Sequence, residues 1–140
     1  MNSKTLTTLL LQHSLISTLL SKKMDSKLSL HGLSFTEFVI MHKLNTTKGG
    51  SLSRINLAES IGLTASGVTR LLAPMEKNNI IEKTVNPRDA RQSLVRLTST
   101  GEELTSYAFV TVEEGCESIF SLINEEELNQ LIALLNKIKC

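Results

Sequence analysis

The spacing of hydrophobic and polar positions predicts helices along most of the chain. Between residues 4 and 27, apolar side chains recur at the three- and four-residue spacing of one long amphipathic helix. They are Leu6, Leu9, Leu10, Leu15, Ile16, Leu19, Leu20 and Met24. A second helical stripe near the end of the chain contains Leu128, Leu131, Ile132, Leu135 and Ile138. The first stripe is broader than one small lobe should need.

Four-residue capping patterns predict where two further helices and the last helix begin. In a capping box, a polar N-cap side chain accepts from the third helical amide, and the acid at that position bonds back to the N-cap amide. Ser34–Glu37 predicts a helix with an apolar face. That face contains Phe38, Val39, Met41 and Leu44. Ser99–Glu102 predicts a long helix to about Leu122, with a bend at Gly115, and Asn124–Glu127 predicts the last helix.

Two shorter helices, separated by a tight turn, are predicted in the middle of the chain. The first begins at Ser53 and ends at Gly62, because glycine readily adopts the left-handed backbone that follows a helix. Its apolar residues are Ile55, Leu57, Ala58 and Ile61. The second follows Thr64, whose hydroxyl is a good N-cap acceptor. Its core-facing residues are Val68, Leu71, Leu72 and Met75. Pro74 lies inside this helix and removes an amide that would bond the carbonyl of Arg70, so we expect a kink.

A β-hairpin is predicted directly after these two helices. Its first strand contains Ile80, Ile81 and Val85, and its second contains Leu94, Val95 and Leu97. Asn86-Pro87-Arg88-Asp89 lies between them, and proline flanked by Asn and Asp is typical of a β-turn. The tip therefore carries Arg88 and Arg91, whose guanidiniums can reach phosphates or a narrow minor groove. A solvated hairpin with ordinary charges is the alternative.

Basic residues are concentrated in the segment that contains these central elements. The whole chain has 140 residues and a net charge of +1. Residues 43–97 contain nine Lys or Arg and four acids, a net charge of +5, whereas the remainder has six bases and ten acids, a net charge of −4. This asymmetry is typical of a DNA-facing lobe attached to a neutral or acidic lobe. Chance segregation in a short chain is the alternative.

The central segment resembles the MarR family of winged helix-turn-helix regulators. "LAESIGLTASGVTRLLAPMEKNNIIEK" is similar to the family's helix-turn-helix, and "NPRDARQSLVRLTSTGEEL" is similar to its wing and the following helix start. The specific similarity covers about Ser34 to Leu104. The most specific part is the Asp-x-Arg of the wing, followed by Leu-Val-Arg-Leu-Thr and Gly101.

The resemblance implies a mainly α fold with a small β-hairpin wing. A winged helix-turn-helix core, residues 34–100, is expected to be flanked by long dimerisation helices at residues 1–31 and 101–140, all within a single domain of residues 1–140. We call residues 34–100 the winged lobe, and the helices of the two flanking segments the terminal helices. In the family the terminal helices of two chains intertwine. Packing of the apolar stripes within one chain is the alternative.

The resemblance further implies a dimeric, sequence-specific transcriptional regulator of double-stranded DNA, in the form of a ligand-responsive repressor at a pseudo-palindromic operator. The residues expected to contact DNA are Ser53, Arg54, Thr64, Ala65, Ser66, Thr69, Arg70, Arg88 and Arg91. Arg91 matches the family's wing arginine, and Asp89 matches the residue that orients the wing. The alternative is a winged-helix module that binds proteins without DNA specificity, although such a face should be less cationic and more aromatic.

Other chemistry has little support in the sequence. The resemblance implies a pocket between the terminal helices and the winged lobe, often for small phenolic or aromatic acids, and no other cofactor is expected. No catalytic constellation is visible, so an enzyme is not expected. His13, His31 and His42 lack partners at ligand spacing, so no metal site is expected.

The two cysteines do not form a disulfide framework. Cys116 is either a thiol sensor or a buried small hydrophobe, and Cys140 lies at the terminus. The N-terminal segment does not resemble a signal peptide, and no apolar run approaches membrane-spanning length. These features predict a cytoplasmic protein.

Overall fold

The computed structural model of the protein describes residues 2–140, and Met1, included in the predicted N-terminal segment, lies outside the described residues. Its elements are α1 (Ser3–Leu28), a 3-10 turn (Ser29–His31), α2 (Phe35–Thr46), β1 (Ser51–Ser53), α3 (Arg54–Ile61), α4 (Ala65–Lys77), β2 (Ile81–Asn86), β3 (Asp89–Leu97), α5 (Ser99–Ile119) and α6 (Glu125–Leu135). The fold is mainly helical with a small antiparallel sheet, which confirms the predicted class.

Most helix boundaries agree with the capping signals in the sequence. Ser34 and Asn124 form the predicted capping boxes with Glu37 and Glu127, respectively. Gly62 ends α3 with φ of 73°, in the left-handed region that glycine adopts without a steric penalty. Local polar side chains therefore define the starts of α2 and α6, and a glycine defines the end of α3.

The predicted capping box at Ser99–Glu102 is wrong by one residue. Thr98 is the N-cap of α5, and its Oγ1 accepts a hydrogen bond from the amide of Gly101 at 2.9 Å. The same hydroxyl donates to the carbonyl of Asn79 at 2.6 Å, and the Thr98 amide donates to the carbonyl of Ile80 at 3.0 Å. A Cβ at Gly101 would overlap the Ile80 carbonyl, so glycine permits this close approach. These long-range bonds, which a local pattern does not contain, place the start of α5.

The sheet has three strands, whereas the sequence predicted a two-stranded hairpin. The strand order is β1-β3-β2, and all pairings are antiparallel. β2 and β3 meet at the predicted turn, with Asn86 opposite Asp89. The missed strand, β1, pairs Ser53 with Leu94. It has three residues, of which Leu52 is the apolar one, so its sequence is too short to show alternation; only the pairing with β3 makes it a strand.

The core lies inside the winged lobe and at its junction with α1 and α5. Its fully buried aliphatic side chains are Leu28, Ile40, Met41, Leu44, Leu57, Val68, Leu72, Met75, Ile81, Val95 and Ala108. Ile40 was not among the predicted apolar positions of α2. Ile55 and Val85 were assigned to apolar faces of their elements, and both are exposed. The assignment of these two residues to buried faces is therefore wrong, since α3 is buried through Leu57 and Ala58 and β2 through Ile81.

Most of α1 and all of α6 leave apolar side chains outside this core. The large apolar residues of α1 from Leu6 to Leu19 are 46–68% exposed. Only the last turns of α1, at Met24 and Leu28, enter the core. No residue of α6 as described is buried, and Ile138 lies beyond the end of that helix. Among residues 2–140, no helix is both long and apolar enough to cross a membrane.

Close packing joins α5 to α1 near Cys116. A Cβ at Gly115 would lie 3.0 Å from side-chain atoms of both Met24 and Lys27, so this glycine permits close approach of the two helices. Cys116 is half-buried against the core, whereas Cys140 is exposed, and both are free thiols. The packing of Cys116 is that of the small hydrophobe expected as one of its two roles.

Candidate nucleic-acid interface

The helices α3 and α4 form the predicted helix-turn-helix. Thr64 is the N-cap of α4, and its Oγ1 accepts from the amide of Gly67 at 3.0 Å. The inward face of α4 is buried through Val68, Leu72 and Met75. Its opposite face exposes Ala65, Ser66, Thr69 and Arg70. The apolar side of α4 therefore fixes the helix on the lobe and leaves a polar side for a ligand.

Pro74 lies beyond the polar residues of α4. The helix continues past it to Lys77, and the amide of Asn78 donates to the Pro74 carbonyl at 2.9 Å. The nearest of the predicted contact residues, Arg70, is four residues before Pro74. The predicted contact residues up to Thr69 lie before the carbonyl that Pro74 leaves without its helical donor, and the kink stays a prediction.

Most hydroxyl groups on the polar side of α4 are already bonded within the protein. The Oγ1 of Thr64 caps the helix and lies 3.3 Å from the Oγ of Ser66. The Oγ1 of Thr69 donates to the carbonyl of Ala65 at 3.0 Å. Arg70, with its guanidinium, is thus the strongest uncommitted donor on this side of α4.

Two short polar side chains organise the tip of the hairpin. The Oδ1 of Asn86 accepts from the amide of Arg88 at 2.9 Å. The Oδ1 of Asp89 accepts from the amide of Arg91 at 3.1 Å and from its Nε at 3.3 Å. The Arg91 side chain is nevertheless 92% exposed. This geometry gives Asp89 the means to orient the wing arginine while leaving that arginine accessible.

Ion pairing leaves several arginines of the winged lobe uncompensated. Two acid–base pairs lie in this lobe besides Arg91–Asp89, namely Lys83–Glu76 at 3.5 Å and Arg96–Glu82 at 2.7 Å. Among residues 2–140, no carboxylate lies within 4.0 Å of the guanidinium of Arg54, Arg70 or Arg88. These three arginines lie on α3, α4 and the hairpin tip, and all are exposed. They supply positive charge that the protein itself does not neutralise.

The start of α3 meets the hairpin, a juxtaposition that the sequence did not predict. Ser53 ends β1 and is also the N-cap of α3, where its Oγ accepts from the amide of Asn56 at 3.1 Å. A cleft of about 130 Å³ is lined by Ser53, Arg54, Ile55, Arg91, Gln92 and Ser93. Gln92 and Ser93 were missed as candidate contacts, because only the pairing of β1 with β3 brings them beside Arg54. No local signal in the sequence marks them.

A separate concavity lies between α2 and α5. It has a volume of about 360 Å³ and is lined by His42, Asn45, Thr105, Ser106 and Phe109. The ring of His42 packs against both Phe38 and Phe109, at centroid distances of 6.0 and 5.7 Å, and the two phenylalanine rings lie 6.4 Å from each other. Aromatic walls beside amide and hydroxyl groups are chemically suited to a small planar ligand.

The histidines show two different environments. His42 is stacked as described, and the Nε2 of His31 lies 2.7 Å from the Oγ1 of Thr111. In the part of the chain that the structure describes, residues 2–140, no group of three or more His, Cys, Asp or Glu is arranged to hold a metal ion.

Comparison with known proteins supports the winged helix-turn-helix interpretation. A model of the MarR family matches residues 33–93, a span that contains every predicted DNA contact from Ser53 to Arg91. The chain is similar to S. aureus MepR in its DNA complex, with 25% identity, 90% of this chain and 92% of that chain covered, and a TM-score of 0.81.

Two further solved structures extend the similarity over the terminal helices. The transcriptional regulator PA4135 is 28% identical, with 96% of this chain and 98% of that chain covered and a TM-score of 0.80. A cysteine-to-serine mutant of MarR from E. coli, in complex with operator DNA, is 18% identical, with 90% and 89% coverage and a TM-score of 0.82. At 18% identity, the similarity to the E. coli structure shows a shared fold alone.

Proposed function

Because the chain belongs to the MarR family, we propose that the exposed side of α3, α4 and the hairpin tip is its DNA-binding surface. The protein is a DNA-binding transcriptional regulator that acts as a homodimer on double-stranded DNA. The proposals concern which residues contact DNA, how the dimer forms and what controls binding.

The chemistry of this surface is the observation that supports its assignment to DNA binding. The guanidiniums of Arg54, Arg70 and Arg88 are exposed there, and no described carboxylate is within 4.0 Å of them. Its large exposed apolar residues, within the described chain, are Ile55, Leu63 and Val85, and none is aromatic. Interfaces with proteins are enriched in aromatics and depleted of charge at their centre. This chemistry favours DNA over the alternative of a protein-docking module.

We propose different roles in DNA binding for α4 and for the wing. α4 lies in the major groove, where Arg70 can donate two hydrogen bonds to the O6 and N7 of guanine. Ala65 and Ser66 lie at the start of α4, where side chains approach base edges. Arg88 and Arg91 contact the flanking backbone or minor groove, where charge contributes affinity with little base information.

Dimerisation sets the form of the binding site. Two copies of α4 related by a two-fold axis would contact half-sites one helical turn apart, ~34–36 Å, on a pseudo-palindromic operator. A regulator that occupies such an operator within a promoter blocks transcription, and repression is the outcome we propose.

The terminal helices are the proposed dimer interface. The apolar side chains of α1 from Leu6 to Leu19, and those of α6 such as Leu131 and Leu135, are exposed in the single chain. Burial of apolar surface contributes roughly 25 cal/mol per Å², so faces of this extent favour association with a second copy. Packing within one chain does not cover them.

A small aromatic acid is the proposed effector, bound between α2 and α5. Phe109 and the stacked ring of His42 would contact an aromatic ring, and Asn45 and Thr105 would contact polar groups. α2 belongs to the winged lobe and α5 to the terminal helices, so a ligand between them can change the spacing of the two α4 helices.

We propose no metal, no other cofactor and no catalytic activity. We propose that the protein acts in the cytoplasm. The free thiols of Cys116 and Cys140 are consistent with such a reducing compartment.

The different roles of α4 and the wing predict different losses of DNA affinity when an arginine of each is replaced. Arg91→Ala should weaken binding to a duplex selected by the wild-type protein and to a scrambled duplex alike, and should reduce the salt dependence, because a phosphate contact is lost. Arg70→Ala should cost about 1–3 kcal/mol, chiefly on the selected duplex, because a base contact is lost. The measurement is fluorescence anisotropy over a salt series.

Arg96→Ala is the matched control, since Arg96 lies on the same strand as Arg91 and already pairs with Glu82 at 2.7 Å. It should bind both duplexes nearly as wild type does. Wild-type affinity of Arg91→Ala for both duplexes at every salt concentration would remove the wing from the interface and favour the protein-docking alternative.

The dimer interface predicts that one charge can separate the protomers. Leu135→Glu places a carboxylate in the apolar stripe of α6, where burial without a partner is costly. Sedimentation velocity should then report monomers at concentrations where the wild type is dimeric. Gln130→Glu, outside the stripe on the same helix, should remain dimeric. If Leu135→Glu sediments as a dimer, the interface lies elsewhere.

The effector site predicts ligand-dependent stability. Salicylate, used as a phenolic-acid probe, should raise the melting temperature in a concentration-dependent manner, because a ligand that binds only the folded state stabilises it. Phe109→Leu should abolish the shift, whereas Tyr107→Leu, on the same helix but outside the cavity, should retain it. An equal shift in wild type and Phe109→Leu, or none in wild type, would contradict this assignment.

A further inference from the structure

A hydrogen bond links the first residue of α3 to the polar side of α4. The Nη1 of Arg54 donates to the Oγ1 of Thr69 at 3.3 Å, and both side chains are exposed. The same Oγ1 donates its proton to the carbonyl of Ala65 at 3.0 Å. A hydroxyl has one proton and two acceptor lone pairs. The proton of Thr69 and one of its lone pairs are therefore already used within the protein.

This bonding limits what Thr69 can do at a base edge. It cannot donate to a base without giving up its bond to Ala65, and Arg54 occupies one of its acceptor positions. Arg54 is in the opposite situation, since a guanidinium has five N–H donors and only one is engaged here. Among residues 2–140, no carboxylate lies within 4.0 Å to neutralise it.

The chain directly before Arg54 is also held in place. Ser53, directly before it, pairs with Leu94 of β3 and caps α3 through its hydroxyl. The cleft beside Arg54 is lined on the hairpin side by Arg91 and Gln92. Arg54 thus lies between α4 and the wing, next to the residue that pairs with the sheet and hydrogen-bonded to α4 through its guanidinium.

The position of Arg54 identifies its ligand. When a helix occupies a major groove and a wing contacts the adjacent minor groove, the sugar-phosphate backbone that separates the two grooves passes between helix and wing. A guanidinium fork matches the geometry of a phosphate and can bond two of its oxygens. Ser53 and Gln92 add neutral polar groups to the same cleft.

We infer that Arg54 binds the DNA phosphate between the α4 site and the wing site, and that Thr69 is a positioning residue for Arg54 and does not read a base. This inference rests on the proposed DNA-binding function and deepens it by separating one predicted base contact from the rest. Thr69 acts on DNA through Arg54.

A double-mutant cycle tests the inference. The variants are Arg54→Ala, Thr69→Val, which removes the hydroxyl at nearly constant volume, and their combination, with Thr69→Ser as the variant that keeps the hydroxyl. Affinities of the intact dimer are measured over a salt series on a duplex selected from a random pool by the wild type and on a scrambled duplex. Circular dichroism melts confirm that each variant is folded.

Arg54→Ala should weaken binding to both duplexes by about 10-fold per protomer, the loss expected for one charge-assisted hydrogen bond. The slope of log affinity against log salt should fall by about 0.9 per protomer, because one phosphate contact is lost. Thr69→Val should weaken both duplexes by about 5-fold and reduce the slope in the same direction, but should have little further effect in the Arg54→Ala background. Thr69→Ser should restore wild-type behaviour.

Ser66→Ala is the control for coupling, since Ser66 lies on the same side of α4 and does not contact Arg54; its effect should be the same in both backgrounds. The salt slope separates the two roles of Thr69, because an uncharged base contact would leave it unchanged. The inference would be overturned if Thr69→Val lost affinity for the selected duplex only, or if its loss added fully to that of Arg54→Ala. Either result would leave the proposed DNA-binding function intact. If the wild type enriched no duplex from the random pool and did not bind the scrambled duplex, the proposed function would be overturned as well.

Discussion

The pairing of β1 with β3 is the interaction on which the arrangement of this surface depends. Three residues make the strand, and the last of them, Ser53, also caps α3. The register of the sheet therefore sets where the helix-turn-helix begins relative to the hairpin. Without this pairing, the arginines of α3 and of the hairpin tip would belong to two independently placed elements. With it, Arg54 and Arg91 line one cleft.

Contacts between the start of α5 and the loop before β2 also help to hold this arrangement together. Thr98 and Gly101 bring the start of α5 onto the loop that precedes β2, through the hydroxyl and the amide of Thr98 and a close approach at Gly101 that a larger residue would prevent. The helix that leaves the winged lobe is thus hydrogen-bonded to it at its first residues. The proposed effector would bind farther along α5, between that helix and α2, where it can change how the winged lobe is oriented on the terminal helices.

Local signals in the sequence were sufficient for most elements. Capping at Ser34, Thr64 and Asn124, the glycine after α3 and the proline turn of the hairpin all depend on neighbours within a few residues. Long-range contacts explain the failures. β1 exists through its partner strand, the start of α5 is set by bonds to residues 79 and 80, and Ile40 is buried because α2 packs against several other elements.

The same distinction applies to the candidate site. Residue types and charge placed Arg54, Arg70, Arg88 and Arg91 on one surface, and the structure exposes all four. It also separates the hydroxyl groups by their bonds, which a sequence does not record: Thr64 caps its helix, and Thr69 holds Arg54. Gln92 enters the site only because the chain folds β3 against β1.

The proposed function requires two cationic winged lobes, joined through the apolar terminal helices, to bind DNA as one symmetric unit. Hydroxyl-radical footprinting of the wild-type protein on a selected duplex tests this most directly, because it maps backbone protection nucleotide by nucleotide. We expect two-fold symmetric protection, with two half-sites about one helical turn apart and additional protection of the outer minor grooves by the wings. A single, unsymmetrical protected segment, or no protection at concentrations that shift the duplex, would contradict it.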